Sequence, residues 1–428
     1  MHFASIASCL GTVSPFHEAP MTDPTGRCFL SYRRARADET ALLIAAQHDH
    51  GIPTWQDVSN LRSVPTEDEI RSVLADPSVA SAVLFITPEV EASPIIRNVE
   101  VPKIINRAEA ADGFFVVPLA AGRLDYNEAA EITSNILSAQ NLADWNMHKV
   151  TGTTLSPDDA GNIAYRVLVQ RMQAIHRHLP RDHPLRIGLF VRRSPAFELG
   201  NALALDWSSR FTGKEATQET WRDMLLPALS RVADAVRKHA PNRQIEAFGI
   251  PTLPAALAFG CVFLSTGGFQ VSWRQVTPGC PDQFWTIATA REQSGFEPRI
   301  ASRDPNAQDI AVLVSVADNV ESLFSTYQKE LPPLRALVRV TKSGSYPHLV
   351  CSPGQAADIA YVVQDAMRTA RREYGAIGTM HLFLAVPAGL AILVGQLLNT
   401  FGVVQTYEHV GTDGSGCYKP AALLHPCS

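Results

Sequence analysis

The chain has no run of 18 uninterrupted apolar residues, so no membrane-spanning helix is expected. The longest apolar stretch, residues 382–398, contains Pro387 and reads as a strand followed by a buried helix. Cysteine is sparse. The seven residues at 9, 28, 261, 280, 351, 417 and 427 form no CxxC pair, so reduced cytosolic thiols are expected, with no disulfide framework and no zinc ribbon. HExxH spacing is absent among the histidines, so no metal site is read. The His-x-His pairs at 48–50 and 176–178 sit in polar helical contexts and read as solvated surface. There is no excess of positive charge. A net charge of −5 argues against non-specific binding of long nucleic acid but leaves room for a local basic pocket. Residues 1–26 lack a basic leader and contain three prolines, so disorder or an extension ahead of a start at Met21 is expected, not a signal peptide.

What is present is a globular pattern. With 46% hydrophobic residues in 428, a sizeable core and two or three domains are expected. Residues 27–149 alternate short apolar strands with amphipathic helices, which implies an α/β domain with a parallel sheet and helices on both faces. CFLSY (28–32), IPTWQDV (52–58), SAVLFIT (81–87) and FFVVPLA (114–120) are the strands. Gly51 closes the helix between the first two. A polar loop enters another helix at Thr66, with Glu69 completing a capping box. Ser93 is expected to cap a further helix, with Pro94 at its first position.

Residues 150–184 read as a helical connector, with a helix over 160–179. Residues 185–428 read as a duplication, in units of about 185–300 and 301–428. PAALAFGCVFLSTGGFQVSW (254–273) is similar to PAGLAILVGQLLNTFGVVQTYE (387–408) at an offset of 133 to 134, each preceded by a strand.

Chemistry follows from placement. Parallel sheets bind ligands beyond the carboxyl ends of their strands. Tyr32, Arg33 and Arg34 leave the first strand there, and Trp55 and Asp57 leave the second. A regular helix from Ser93 would put Glu100 on the same stripe, seven residues on. Arg suits a pyrophosphate, and Trp55 suits stacking on a nicotinamide or adenine ring. One carboxylate suffices to cleave nicotinamide from NAD, because the leaving group departs neutral and needs no acid. The competing reading makes Glu100 a helix-surface glutamate and Trp55 ordinary packing. Pro102 is expected to kink or interrupt the helix just past Glu100.

In the second half, each PA-x-LA segment would present a helix N-terminus to a phosphate. Candidate ligand residues are Arg192, Arg193, Thr252, Pro254, Ala255, Ser315, Pro387, Ala388, Gly389 and Tyr407. Trp207, Trp221 and Tyr407 could stack on bases, and core packing is the competing reading for each.

Together, CFLSYRR, GIPTWQD, the loop 58–66, SAVLFITPE and the spacing from Ser93 to Glu100 resemble a flavodoxin-like TIR domain of the bacterial NAD-hydrolysing type. The resemblance implies that Glu100 is catalytic and that 58–66 contacts a neighbouring TIR. It also implies that Arg33, Trp55 and Asp57 line the pocket. HLFLAVPAGLAILVGQLLNTFGVVQTYEHV (381–410) with YKPAALL (418–424) resembles the C-terminal motif of SAVED domains, fused pairs of CARF-like, Rossmann-like units that bind cyclic oligonucleotides.

The two together resemble TIR-SAVED effectors of cyclic-oligonucleotide-based antiphage signalling systems (CBASS). That resemblance implies a cytoplasmic NAD+ hydrolase with NAD+ as substrate, no cofactor and no metal. It further implies activation by cyclic triadenylate, a monomer that stacks head to tail into a filament on binding it, and no long nucleic acid or membrane as partner. A non-enzymatic TIR adaptor, or an enzyme making a cyclic ADP-ribose signal, are the alternatives.

Overall fold

The computed structural model describes residues 21–55, 66–110, 112–137, 146–150, 152–211, 213, 215–375, 378–411 and 416–426. The first sheet comprises β1 (Arg27–Ser31), β2 (Thr54–Trp55), β3 (Val79–Ile86), β4 (Phe115–Ala120) and β5 (His148–Lys149). Every pairing is parallel, in the order β2-β1-β3-β4-β5. That order is one of the common doubly wound arrangements. All eight residues of β3 are buried, as a strand covered on both faces requires. Ala82, Leu84 and Ile86 pack against Ile70, Ile96, Val99 and Ile104 on one face. Val83 and Phe85 share a core with Leu43 on the other, together with Ile163 and Val167 from the helix Pro157–His178.

That helix is therefore a packed layer. Its Ser156 accepts from the Asp159 N–H while the Asp159 carboxylate accepts from the Ser156 N–H, a full capping box. At its centre the buried Arg171 makes no ion pair among the described residues. It donates to the carbonyls of Gly26 (2.5 Å), Thr25 (2.6 Å) and Ala202 (2.8 Å). Burial pulls its pKa down to about 10. Further bonds join the same seam. Ala204 N–H donates to Gly51 O at 2.8 Å, Trp207 Nε1–H to Asp49 O at 3.2 Å, and Arg210 Nη2 to Asp49 Oδ2 at 2.6 Å. Gly51 has φ +78°, and a Cβ there would lie 2.9 Å from the Leu203 Cβ, so both turn and contact require glycine.

The rest of the chain forms two sheets. One comprises β6 (Leu185–Phe190), β7 (Leu203–Asp206), β8 (Gln244–Ile250), β9 (Gln270–Gln275) and β10 (Gln283–Trp285), ordered β10-β9-β8-β6-β7. The other comprises β11 (Glu297–Ser302), β12 (Asp309–Ser315), β13 (Leu334–Thr341), β14 (Met380–Ala385), β15 (Val404–Val410) and β16 (Cys417–Leu424). Its order is β11-β13-β12-β14-β15-β16. Leaving β11 aside, the order and directions repeat: a parallel block with an antiparallel strand at one edge, β10 on β9 and β16 on β15.

The helices Leu253–Val262 and Ala388–Gln396 cross where Gly260 meets Gly395, and the close contacts are reciprocal. A Cβ on Gly260 would strike the Ile392 carbonyl, and a Cβ on Gly395 the Leu257 carbonyl. Among the described residues no helix is long and apolar enough to cross a membrane.

Two expectations need correction. Cys280 and Cys351, 71 residues apart, form a disulfide, with Cα atoms 5.7 Å apart. Folding brings the turn after β9 beside the segment before the helix Pro353–Tyr374, a pairing that local spacing does not encode. His50 is 2% exposed, and its Nδ1 lies 2.7 Å from the Ala46 carbonyl. His48 is partly buried against Thr54. The first His-x-His pair thus lies in the seam, because the helix face carrying it is covered by β7 and its flanks.

Candidate functional site

β1 ends at Ser31, where the chain leaves the carboxyl edge of the first sheet. Ser31 is buried and donates its hydroxyl to Glu100 Oε2 at 2.5 Å. Glu100 is 8% exposed, so it is not a helix-surface glutamate. The segment that carries it is not a regular α-helix. Ser93 Oγ accepts from the Ile96 N–H at 3.4 Å, a π-turn spans Ile96–Glu100, and an α-helix follows over Val101–Glu109. The Val101 N–H bonds the Ile96 carbonyl, five residues back.

Pro102 accounts for this. It has no N–H for the Asn98 carbonyl, and its ring would collide with that carbonyl in a tight turn. A wider turn upstream relieves the clash. The same solution recurs at Leu226-Pro227, which follows the π-turn Trp221–Leu225. The seven-residue stripe from Ser93 to Glu100 therefore does not hold. The wide turn alters the register and directs Glu100 at β1.

The neighbouring candidates separate. Tyr32 is half-buried against the core. Arg33 is half-buried, and its buried Nε has no hydrogen-bond partner among the described residues. Arg34 is exposed at the start of the turn Arg34–Arg36. Arg36, which the sequence did not single out, bonds both Glu39 and Glu89 at 2.9 Å. Trp55 is corrected: it is 2% exposed and stacked on Phe29, ring centroids 5.0 Å apart, so it packs the core and offers no face to a ligand. Asp57 and residues 58–65 of the loop lie outside the described residues.

The second cluster forms where β6 and β8 end. Arg192, after β6, places Nη2 3.0 Å from Oε1 of Glu408 on β15. Glu408 is 6% exposed and stands beside Thr252, the residue before the helix Leu253–Val262. Burial pushes the Glu408 carboxyl up to about 7, against the opposing pull of the Thr252 hydroxyl and the Arg192 guanidinium. Even so, neither Glu408 Oε2 nor Thr252 Oγ1 completes a hydrogen bond of good geometry among the described residues. Arg193 is exposed beside this pair.

The second helix N-terminus is covered instead. Gly389 N–H donates to the Gln275 side chain at 3.1 Å, and a Cβ on Gly389 would meet Trp273 and Trp285. Pro387 and Ala388 are half-buried there, so this end is closed to a phosphate by β9 and β10 of the other unit.

Other candidates are corrected too. Ser315 is buried and its hydroxyl accepts from the Val320 N–H at 3.2 Å, closing a turn. Tyr407 stacks on Phe383 with centroids 4.1 Å apart and bonds His381 through its hydroxyl at 2.6 Å. It fills the outer core of its unit. Pro254 and Ala255 are buried, so only the backbone of that turn is available. Trp207 and Trp221 pack edge to face in the core. Cavities of about 410 Å³, lined by Arg186, Phe248 and Arg274, and about 500 Å³, lined by Asp49, His50 and Arg231, lie away from both clusters.

The sequence reading missed Ser31, Gln275 and Glu408. The last residue of β1 was a signal for Ser31. Glu408 carried no comparable signal, because its strand VQTYEHV is half polar.

Residues 228–424 match the family described as SAVED, SMODS-associated and fused to various effectors sensor domain, and form a SAVED domain. The match begins inside the helix Leu226–His239, although β6 and β7 pair in the same sheet as β8. No curated protein matches the chain. Among solved structures, the chain is similar to the Acinetobacter baumannii Cap4 SAVED/CARF-domain containing receptor with the cyclic trinucleotide 3'3'3'-cAAA. The identity is 15% and the TM-score 0.48, covering 92% of this chain and 100% of that one. The Moraxella osloensis Cap4 SAVED/CARF-domain containing receptor is similar at 15% identity and a TM-score of 0.43, with the same coverage.

Proposed function

We propose that the protein is an effector of CBASS-type antiviral defence: a SAVED sensor that binds a cyclic oligonucleotide, of which cyclic triadenylate is the first choice, and an N-terminal TIR domain that hydrolyses NAD+. The observation that carries the enzymatic reading is Glu100, buried at the carboxyl edge of a parallel sheet and held by the Ser31 hydroxyl at 2.5 Å. A scaffold needs no buried carboxylate at a strand end.

In the reaction, the bond from ribose C1' to the pyridinium nitrogen breaks and its electron pair stays on nitrogen, giving neutral nicotinamide. Glu100 stabilises the oxocarbenium-like ribose and fixes its hydroxyls. Water adds at C1' and loses a proton to solvent, giving ADP-ribose. Arg33 and Arg34 leave β1 at the same edge and supply charge for the pyrophosphate. On the sensor side, the SAVED match and the cluster of Arg192, Arg193 and Thr252 support an anionic ligand at the ends of β6 and β8. Head-to-tail stacking of ligand-bound monomers then brings the TIR domains together.

The experiment is nicotinamide release from NAD+ across cyclic di-, tri- and tetranucleotides, with size-exclusion chromatography of the same samples. The expected result is release only with a cyclic oligonucleotide that also shifts the protein to large assemblies, and none from Glu100→Gln. Wild-type turnover by Glu100→Gln overturns the enzyme reading.

A further inference from the structure

We propose that Glu408 is a built-in competitor for the ligand: its carboxylate holds Arg192 in place of a phosphate oxygen, and the cyclic oligonucleotide must displace it to bind. This rests on the reading of the Arg192 cluster as the ligand site. The observation behind it is a carboxylate where an anion site would put its anion. Glu408 stands at the N-terminus of a ten-residue helix, beside the Thr252 hydroxyl and 3.0 Å from an arginine. It is 6% exposed, and its second oxygen has no hydrogen-bond partner among the described residues. A helix N-terminus, a hydroxyl and a guanidinium are what a phosphate oxygen asks for.

One guanidinium cannot neutralise a buried carboxylate and a phosphate at once. When a phosphate takes Arg192, Glu408 loses its counter-charge and gains a negative neighbour. Its carboxylate then takes a proton from solvent. The free carboxyl titrates at about 7, so little work is needed to neutralise it. The charged groups around it are few. Arg192 comes from the loop after β6. Glu215 adds a repulsive charge from the segment before the helix that follows β7. Lys419 on β16, opposite Glu408 in register, is itself paired with Glu215. Phosphodiesters do not titrate between pH 6 and pH 8, so a pH-dependent affinity in that window reports the protein.

The test is calorimetric titration of cyclic triadenylate into the full-length protein at pH 6, 7 and 8, in buffers of different ionisation enthalpy. Wild type is expected to take up close to one proton per ligand at pH 8 and almost none at pH 6. Affinity should fall about tenfold between them, the ratio for a carboxyl that titrates at about 7 when free and must be protonated for the ligand to bind. Glu408→Gln should bind more tightly than wild type at pH 8, with affinity independent of pH. Arg192→Ala should bind weakly at every pH.

The outcomes separate. Wild-type binding that is tight, takes up no proton and is not improved in Glu408→Gln overturns the competitor and leaves the ligand site standing. Arg192→Ala binding as wild type, or no binding of any cyclic oligonucleotide by wild type, overturns the ligand site and the competitor with it. The proton measurement uses wild-type protein, so a Glu408 variant that failed to fold would not rescue the idea.

Discussion

A Cβ placed on Gly260 would lie 3.0 Å from the Cα of Gly395, and one placed on Gly395 would lie 3.0 Å from the Cα of Gly260. The two helices therefore touch backbone to backbone at the centre of the sensor. An added methyl would also strike a carbonyl of the opposite helix, Ile392 from position 260 and Leu257 from position 395. Gly260→Ala and Gly395→Ala must each push the helices apart. Overpacking of this kind costs about 1–3 kcal/mol, and a backbone obstacle puts both at the upper end. Thermal or urea unfolding should show both variants destabilised by similar amounts. Wild-type stability for either would mean the crossing is looser than described.

Glu100 owes its place to two neighbours, Ser31 and Pro102. Ser31→Ala removes the hydroxyl that holds Oε2, and Pro102→Ala removes the ring that keeps the turn over Ile96–Glu100 wide. With an N–H at position 102 the helix can tighten and rotate Glu100 off β1. Both variants should retain the fold. Both should release nicotinamide about tenfold more slowly or worse at saturating NAD+, a loss of about 1.4 kcal/mol of transition-state stabilisation. Unchanged kcat in both, with ligand binding intact, would show that Glu100 needs no positioning.

These neighbours also mark the limit of what the sequence displays. The first sheet was legible because β3 is apolar apart from Ser81, the pattern of a strand buried on both faces. The repeat was legible in PAALAFG and PAGLAILVG because both units begin the equivalent buried helix with the same PA-x-LA run. Trp55 and Tyr407 were misread as ligand contacts because an aromatic on a strand has the same appearance whether it meets a ligand or Phe29 and Phe383. Glu408 was passed over because a carboxylate in an edge-proximal strand reads as solvated. Only the opposite unit, carrying Arg192 and Thr252, buries it. The Cys280–Cys351 pair hid for the same reason, since contacts made across 71 residues leave no local trace.

Arg171 ties the three layers at the seam through carbonyls alone. Replacing it by Met keeps much of the packing and strands three buried acceptors, each costing about 1–3 kcal/mol. Arg171→Lys cannot reach all three from one ammonium. Calorimetry of wild type should give one cooperative transition spanning the N-terminal domain and the sensor. Arg171→Met should lower its midpoint and split it, with the N-terminal part melting first. A single transition at the wild-type temperature would show that the other seam contacts suffice.

His50 gives the seam a pH dependence whose sign is fixed by burial. Its imidazole is pushed down to about 4 by desolvation, helped by Arg231 and opposed by the bond to the Ala46 carbonyl. The unfolded chain, with an ordinary histidine near 6.5, binds the proton that the folded chain refuses. Between those values the unfolded state takes up more protons, so this group's contribution falls as pH drops from about 6.5 towards 4 and is flat above. The full span corresponds to roughly 3 kcal/mol. His50→Gln keeps a donor for the Ala46 carbonyl and cannot titrate. Urea unfolding at pH 7, 6, 5 and 4.5 should show the stability difference between wild type and variant shifting steadily in the variant's favour as pH falls. A difference that stays constant across that range would mean the imidazole is solvated or charged in the folded protein, and that the seam at Ala46 is open to water.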